Sequence, residues 1–500
     1  MDIFLQDLNN SLALFKPEIA LTITLVLAVF VDVIFKKQKL ATGYVSIIGY
    51  LVTFFLLVSD GIVHSSMAFT GSLAIDPLSQ FFKILVLCGA VVTTIMTFNS
   101  KELLQGENSI GEYYILLVGM TIGMFLLSSA SNLIVIYIAF ETMSICSYVL
   151  AGYTKEVRRA SEASLKYVIY GSLASGVMIY GMSILFGLTG TLDLAAINSS
   201  LANYNGNLLP LVTAILMIFG GIAYKISAVP FHYWTPDVYE GSPIATTALL
   251  SVASKAAGFA VLIRFLKAGF IDANASPSDD IWVTLSSFDW SYLIAIIAVL
   301  TMTVGNLLAI WQENVKRMLA YSSIAHAGYM LMGLMVMNTA GIEAVLFYFI
   351  TYFLMNFGAF YVVQLVANET GGEDMNDYAG LAYKNPMVAL AMTIFLISLT
   401  GMPPFAGFLA KLYLFTPVIE AGYVGIAVIG VLNSVVSVFY YVKLVRNMYL
   451  RGDVETTERV IVGKGSIVFL YMMAIPVLFL IVNFKPVLEW IKYSAIMIIK

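Results

Sequence analysis

The chain has 500 residues, 60% of them hydrophobic and only 11% charged, with a mean hydropathy of +0.90. A soluble domain carries about 25% charged residues, so the composition excludes a soluble fold and predicts an all-α polytopic membrane protein. The net charge of −4 offers no footprint for nucleic acid, and the two cysteines, Cys88 and Cys146, match no disulfide or metal-ligand spacing.

Taking apolar runs of about 20 residues as spans gives about fourteen transmembrane helices, at 17–35, 43–59, 76–98, 111–129, 131–152, 161–187, 208–233, 243–268, 289–310, 318–338, 341–367, 386–416, 420–445 and 465–484. The opening Met1-Asp2-Ile3-Phe4 lacks the basic region of a cleaved signal, so the first span is expected to stay as an anchor. Odd-numbered loops hold Lys36, Lys37, Lys39, Lys101, Lys155, Arg158, Arg159, Lys316, Arg317, Lys384, Arg446, Arg451, Arg459 and Lys464, whereas even-numbered loops claim only Lys267. The positive-inside rule then places the odd loops in the cytoplasm and both termini outside, although Lys16, Lys485, Lys492 and Lys500 in the tails count against this.

Apart from Lys267 at the end of its helix, seven basic residues fall within spans: Lys83, Lys166, Lys225, Lys255, Arg264, Lys411 and Lys443. Arg264 and Lys443 lie near span ends and are expected to snorkel to the interface. Lys225, Lys255 and Lys411 are too central for that, as is Glu141, and the sequence offers no partner for Lys83. A lysine at bilayer depth costs about 2.5–3.5 kcal/mol on insertion scales, so it faces protein or a water-filled path.

An internal repeat organises these charges. Glu162-Ala-Ser-Leu-Lys-Tyr167 recurs as Glu343-Ala-Val-Leu-Phe-Tyr348, which sets the sixth and eleventh spans in register. Gly221-x-x-x-Lys225 then aligns with Gly407-x-x-x-Lys411, with prolines beside both (Pro230; Pro403, Pro404 and Pro417). Spans five apart have opposite topology, the pattern of inverted-repeat transporters with interrupted helices at the site. The expected division is an N-terminal three-helix segment (1–110), a first repeat (111–268, helices 4–8), a second inverted repeat (289–445, helices 9–13), and a last helix with its tail (446–500).

The organising stretch is Lys225-Ile-Ser-Ala-Val-Pro230-Phe-His232-Tyr-Trp234-Thr-Pro236-Asp237, a lysine followed at once by a helix break. A free lysine has a pKa near 10.4, too high for a proton relay; burial lowers it by up to roughly 3–5, and an approaching carboxylate raises it again. Glu141 is the expected partner of Lys225, with a static ion pair as the competing reading. Lys255, among the small residues of Ser251-Val-Ala-Ser-Lys255-Ala-Ala-Gly258, and Lys411, after Gly401-Met-Pro-Pro404, extend the line. His232 and His326 titrate near neutrality and are candidates to bridge the lysines, with a structural role equally open. Lys166 is a weaker candidate because its repeat partner is Phe347. Ammonium groups repel Na⁺, which needs oxygen ligands, so the pattern favours protons. No phosphate loop or dinucleotide fingerprint is present.

The run from Lys225 to Pro243, with Thr235-Pro-Asp-Val-Tyr239-x-Gly241 and Ala253-Ser-Lys255, resembles the antiporter-like subunits of respiratory complex I, and among them the N family related to mitochondrial subunit 2. The resemblance covers essentially the whole chain. It implies a proton-translocating subunit of NADH:quinone oxidoreductase that couples NADH oxidation and quinone reduction in other subunits to outward pumping. FMN and iron–sulfur clusters would reside in those other subunits, with no cofactor or metal bound by this chain and no redox catalysis by it alone. The partners implied are the antiporter-like M and L subunits and the small K, J, A and H subunits, in a bacterial inner membrane. Carried over, Glu141 and Lys225 form a modulating pair, Lys255 connects, Lys411 is the terminal donor, and His232 and His326 lie on the polar path. The alternatives of another class are a D-type subunit of a multisubunit Na⁺/H⁺ antiporter and the membrane subunit of an energy-converting hydrogenase.

Overall fold

The apolar runs become helices because a chain in lipid must satisfy every backbone polar group internally. In the computed structural model, residues 2–36, 38–59, 65–105, 110–202, 204, 206–271, 289–451 and 460–497 are described. Lys37, Arg459 and Lys500, used above for orientation, lie outside them. In chain order the first helices are α1 (Asp2–Leu14), α2 (Lys16–Ile34), α3 (Ala41–Ser59), α4 (Pro77–Phe98), α5 (Lys101–Leu104), α6 (Ile110–Ser129), α7 (Leu133–Ala151), α8 (Arg158–Thr189), α9 (Leu194–Ala202), α10 (Leu208–Ile226) and α11 (Trp234–Gly241). Then come α12 (Ile244–Leu249), running through a π-helical turn into α13 (Lys255–Phe270), α14 (Trp290–Ile310), α15 (Val315–Leu334), α16 (Thr339–Thr370), α17 (Leu381–Lys384), α18 (Pro386–Thr400), α19 (Ala406–Glu420), α20 (Val424–Leu450), α21 (Lys464–Phe479) and α22 (Lys485–Ser494). A small antiparallel hairpin, β1 (Ser66–Ala68) with β2 (Leu73–Ile75), departs from an all-α description.

Among the described residues, eleven helices are long and apolar enough to cross a membrane. The expectation of fourteen is met by length and composition only to that extent. The other three segments hold α15, which carries Lys316 and Arg317 in its first turn, and the shorter α18 and α21. The tail expected after the last span is itself a helix, α22, packed on α4 and α16 with Trp490 against Phe81 at 5.1 Å.

The repeat is visible in its boundaries. Asn132 and Asn314 cap α7 and α15 by accepting backbone N–H groups of Ile134 and Arg317, and each bridges to an aspartate, Asp193 or Asp374. The helices α8 and α16 both have 32 residues, and both end on left-handed glycines, Gly190 and Gly371. In the fourth helix of each unit, Asn207 and Asn385 cap α10 and α18, which stop at left-handed Ser227 and Gly401.

Those two breaks correct one expectation from the sequence. Lys225 precedes its break, on α10, whereas Lys411 follows its break, on α19. The lysines are therefore not repeat mates. Counted from the left-handed residue, the position of Lys411 corresponds to Asp237. The Gly-x-x-x-Lys similarity paired segments on opposite sides of the break because the motif carries no information on where the helix stops.

Two further charges differ from expectation. Arg264 does not snorkel: it is 1% exposed and forms a bidentate pair with buried Asp76, Nη1 to Oδ2 at 2.8 Å and Nη2 to Oδ1 at 2.9 Å. Lys83 has a buried partner after all, Glu18 at 2.6 Å, joining α4 to α2. Both acids fall at the first residues of predicted spans, Asp76 as the cap of α4 and Glu18 in the first turn of α2, and a reading that followed only the basic residues passed over them. At the centre, Ile244–Phe270 is buried along its whole apolar length, and the charged line is built around it.

Candidate polar axis of buried lysines

The first station is the end of α10. Left-handed Ser227 stops the helix, and the freed polar groups find side chains: the Val229 N–H donates to Thr301 Oγ1 (3.0 Å) and Thr235 Oγ1 donates to Ser227 Oγ (2.8 Å). The broken segment is thus held by protein, as burial in lipid requires. One residue before the end of α10, Lys225 is 1% exposed. Its Nζ donates to Ser144 Oγ and to the Tyr167 hydroxyl, both at 3.2 Å, with Ser147 Oγ at 3.5 Å. Tyr167 is fixed in turn by stacking on Trp234, centroids 4.4 Å apart.

Glu141 does not pair directly with Lys225. Its carboxylate accepts a short hydrogen bond from Ser175 on α8, while Ser144, one turn further along α7, takes the lysine. Each member of the expected pair thus takes a serine hydroxyl as its hydrogen-bond partner, Ser144 for Lys225 and Ser175 for Glu141. His232 sits buried in the break, hydrogen-bonded to neither lysine, and its Nδ1 has no partner among the described residues. Lys166 lies apart from the buried line. Its side chain is 37% exposed and pairs with Glu162 (2.8 Å) and Asp237 (2.6 Å), the latter shared with Arg317 (2.6 Å).

The second station is Lys255, fully buried at the end of the π-helical turn Leu250–Ser254. That turn offsets the helix phase and directs Nζ to Ser323, donating to its carbonyl (2.8 Å) and hydroxyl (2.9 Å). Gly258 lets α13 approach α10, since a Cβ there would meet Ile226 at 2.6 Å.

From Ser323 the polar face of α15 continues through His326 to Tyr329, at helical spacing. His326 Nδ1 meets the Tyr348 hydroxyl at 2.6 Å and Nε2 the Tyr441 hydroxyl at 3.3 Å; Tyr441 also shares a short bond with Ser322. Lys411 ends the series. It lies over the Tyr329 ring at 4.7 Å and donates to Thr400 O (2.8 Å) and Ser434 Oγ (2.7 Å). Gly407 permits the second break to close, because a Cβ would collide with the Ser398 carbonyl, and its N–H donates to Ser398 Oγ at 3.0 Å.

The structure thus brings Lys255, His326 and Lys411 onto one hydroxyl-rich face, with Lys225 and Glu141 on the neighbouring helices. The serines and tyrosines of this line were missed in the sequence. The signal available was Ser322-Ser323-x-x-His326-x-x-Tyr329, polar residues one helical turn apart inside an apolar run. Among the described residues no group of three or more His, Cys, Asp or Glu side chains could hold a metal ion.

A polar cavity of about 690 Å³ opens between α5, the start of α8 and the end of α16, at the end of the bundle that carries the basic loops. Glu102 and Glu373 line it, with Lys101, Arg159 and Gln364. Behind them Lys316, 2% exposed, donates to Glu373 (2.7 Å) and to the Ser242 carbonyl (2.9 Å). Burial pushes the Glu102 carboxyl above the ordinary carboxylate range, against the opposing effect of Lys316 and with that of Glu373. Lys316 and Ser323 share a face of α15, seven residues and so about 10 Å apart along the axis.

Residues 130–437 match the family described as NADH:quinone oxidoreductase/Mrp antiporter, TM. A protein of Chloroherpeton thalassium named NADH-quinone oxidoreductase subunit N 2 is 45% identical over 455 residues, 90% of this chain and 88% of that one. A chain of respiratory complex I from Thermus thermophilus superposes with a TM-score of 0.77 at 29% identity, over 95% of this chain and 98% of that one. A chain of the Mrp complex from Dietzia sp. shares the fold alone, at 20% identity and a TM-score of 0.78 over 97% of both chains.

Proposed function

The chain belongs to the subunit N family of NADH-quinone oxidoreductases, and from that membership we propose how its buried line moves protons. It is a multi-pass antiporter-like membrane subunit of the oxidoreductase, working beside other membrane subunits; M and L are the proposed antiporter-like neighbours, with K, J, A and H as the small ones. NADH and quinone are handled in the rest of the complex, where FMN and iron–sulfur clusters carry the electrons. The basic loops face the cytoplasm and both termini the periplasm of the inner membrane. The two inverted units, 111–268 and 289–445, each contribute one broken helix.

The observation that carries the mechanism is the alignment along α15 of Ser323, which holds Lys255, His326, which meets Tyr348 and Tyr441, and Tyr329, whose ring lies under Lys411, each one helical turn from the next. Hydroxyls both donate and accept, so each lysine can hand its proton to a neighbouring oxygen without a charged side chain beside it. Protons load from the basic-loop end through Glu102 and Lys316 and reach Ser323 and Lys255 along α15. A conformational change driven by quinone reduction shifts Glu141 relative to Lys225. Moving the carboxylate away lowers the proton affinity of Lys225, whose proton passes to Lys255, and the charge gained there sends a proton on to Lys411 and out. Lys166, with Asp237 and Arg317, holds α11 in place instead of carrying protons.

An affinity tag on this chain tests the assignment. Purified from membranes, it brings down a flavin and iron–sulfur arm, and inverted vesicles acidify when NADH is supplied with quinone. Recovery of the chain only in a complex that lacks flavin would overturn the reading in favour of a secondary antiporter.

The loading step makes a separate prediction. A carboxyl with a raised folded-state pKa destabilises the fold when ionised: the deficit is full above the folded pKa and vanishes below the unfolded value of about 4.3. Glu102→Gln therefore melts higher than wild type at alkaline pH, and the difference closes as pH falls. The same variant pumps more slowly, most of all at alkaline pH, where protons are scarce. Pumping at wild-type rates across the range, measured in the same vesicles, would reduce Glu102 to a structural acid.

A further inference from the structure

At the same end of the bundle, α14 stops at Ile310 and leaves Trp311 80% exposed beside α20. Between them runs a groove of about 650 Å³. Its α20 wall is a graded stripe: Phe439 and Val442 are apolar and exposed, then Lys443 and Arg446 follow one turn apart toward the helix end. From Phe439 to Arg446 the stripe is seven residues, about 10 Å along the axis. Neither cation has an acidic partner among the described residues. Glu313, on the opposite lip, leaves the groove with a net charge of +1.

We propose that this groove is a binding site for an anionic glycerophospholipid of the phosphatidylglycerol class, phosphate between Lys443 and Arg446 and one acyl chain along Phe439 and Val442. The order of chemistry matches the order of a phospholipid, from acyl chain to interface to phosphate. An exposed tryptophan at a helix end occupies the glycerol level, where the indole ring is both apolar and wet. Two unpaired cations at the basic-loop end select a phosphate of an anionic leaflet. The Glu313 carboxylate accepts from headgroup hydroxyls, which a choline headgroup does not have. A polypeptide packed on the same stripe would bury two cations and need acids placed against them.

The test uses the full chain in nanodiscs of phosphatidylcholine doped with brominated phosphatidylglycerol or, at equal mole fraction, brominated phosphatidylcholine. Tryptophan emission is quenched more by the brominated phosphatidylglycerol, and this excess disappears in Trp311→Phe. Each of Lys443→Gln and Arg446→Gln lowers the preference by about fivefold, the equivalent of losing one cation near an anionic surface. Equal quenching by the two lipids, or an excess that survives in Trp311→Phe, overturns the site. Should the glutamine variants fail to fold, the comparison of wild type with Trp311→Phe still decides it. In the assembled complex, a photo-crosslinker on Phe439→Cys yields a lipid adduct; a crosslink to another polypeptide would show that a subunit, not a lipid, covers the groove.

Discussion

In inverted membrane vesicles, Lys225→Ala lowers NADH-driven quinone reduction and acidification together, by at least about tenfold, while native gels show an assembled complex. Groups that transfer protons contribute about 10²–10⁴ to the steps they serve, and coupling makes electron transfer wait for the proton. The variant removes a buried amine and leaves Ser144, Ser147 and Tyr167, which are satisfied by water or by one another; Ser147 and Tyr167 already lie at 3.3 Å. Loss of activity therefore does not require collapse of the site. Lys225→Arg sharpens the result. A guanidinium keeps the charge but does not deprotonate in proteins, so an amine needed only as a fixed cation would be rescued and an amine needed as a proton carrier would not. Wild-type turnover and pumping in Lys225→Ala would make the residue structural and end the mechanism proposed above.

The same residue marks how far the sequence could be read. Its position before a proline-bearing break was legible, because a lysine in an apolar run is costly and conspicuous. What it touches was not. The choice of Glu141 as direct partner rested on its being the central carboxylate of the first unit, yet Ser144 and Tyr167 take the hydrogen bonds. Serines and tyrosines are common in apolar helices, so only three-dimensional convergence distinguishes those that line a polar path. His326 joins the line through Tyr348 and Tyr441, residues 22 and 115 positions away, and His232, with equal claim in the sequence, does not join it. The repeat was legible where boundaries carry side-chain signals, at Asn132 and Asn314 or Gly190 and Gly371. It was misread at the breaks, where Ser227 and Gly401 share a backbone conformation but not a residue type.

The buried arginine that sequence reading sent to the interface gives the second large expected effect. Arg264→Met destabilises the fold by about 3–5 kcal/mol, the usual result of leaving one partner of a buried ion pair alone, read as a lower denaturation midpoint of the purified chain. Asp76 shows why the loss is large. It has no exposure, and its Oδ1 accepts from both the Ser79 N–H (2.8 Å) and Arg264, so the same carboxylate caps α4 and ties it to α13. Removing the guanidinium strands a buried anion at a helix N-terminus. Asp76→Asn added to Arg264→Met keeps an N-cap acceptor while deleting the charge, so the double variant recovers part of what Arg264→Met lost. Recovery of that kind is an interaction energy between contacting groups, and a snorkelling arginine would not produce it. An Arg264→Met protein within about 1 kcal/mol of wild type would mean that the side chain reaches water at the helix end, as amphipathic cations do. The pair matters for function as well as stability, because α13 begins at Lys255. The Asp76 anchor, nine residues further along the helix, sets the depth at which that lysine meets Ser323.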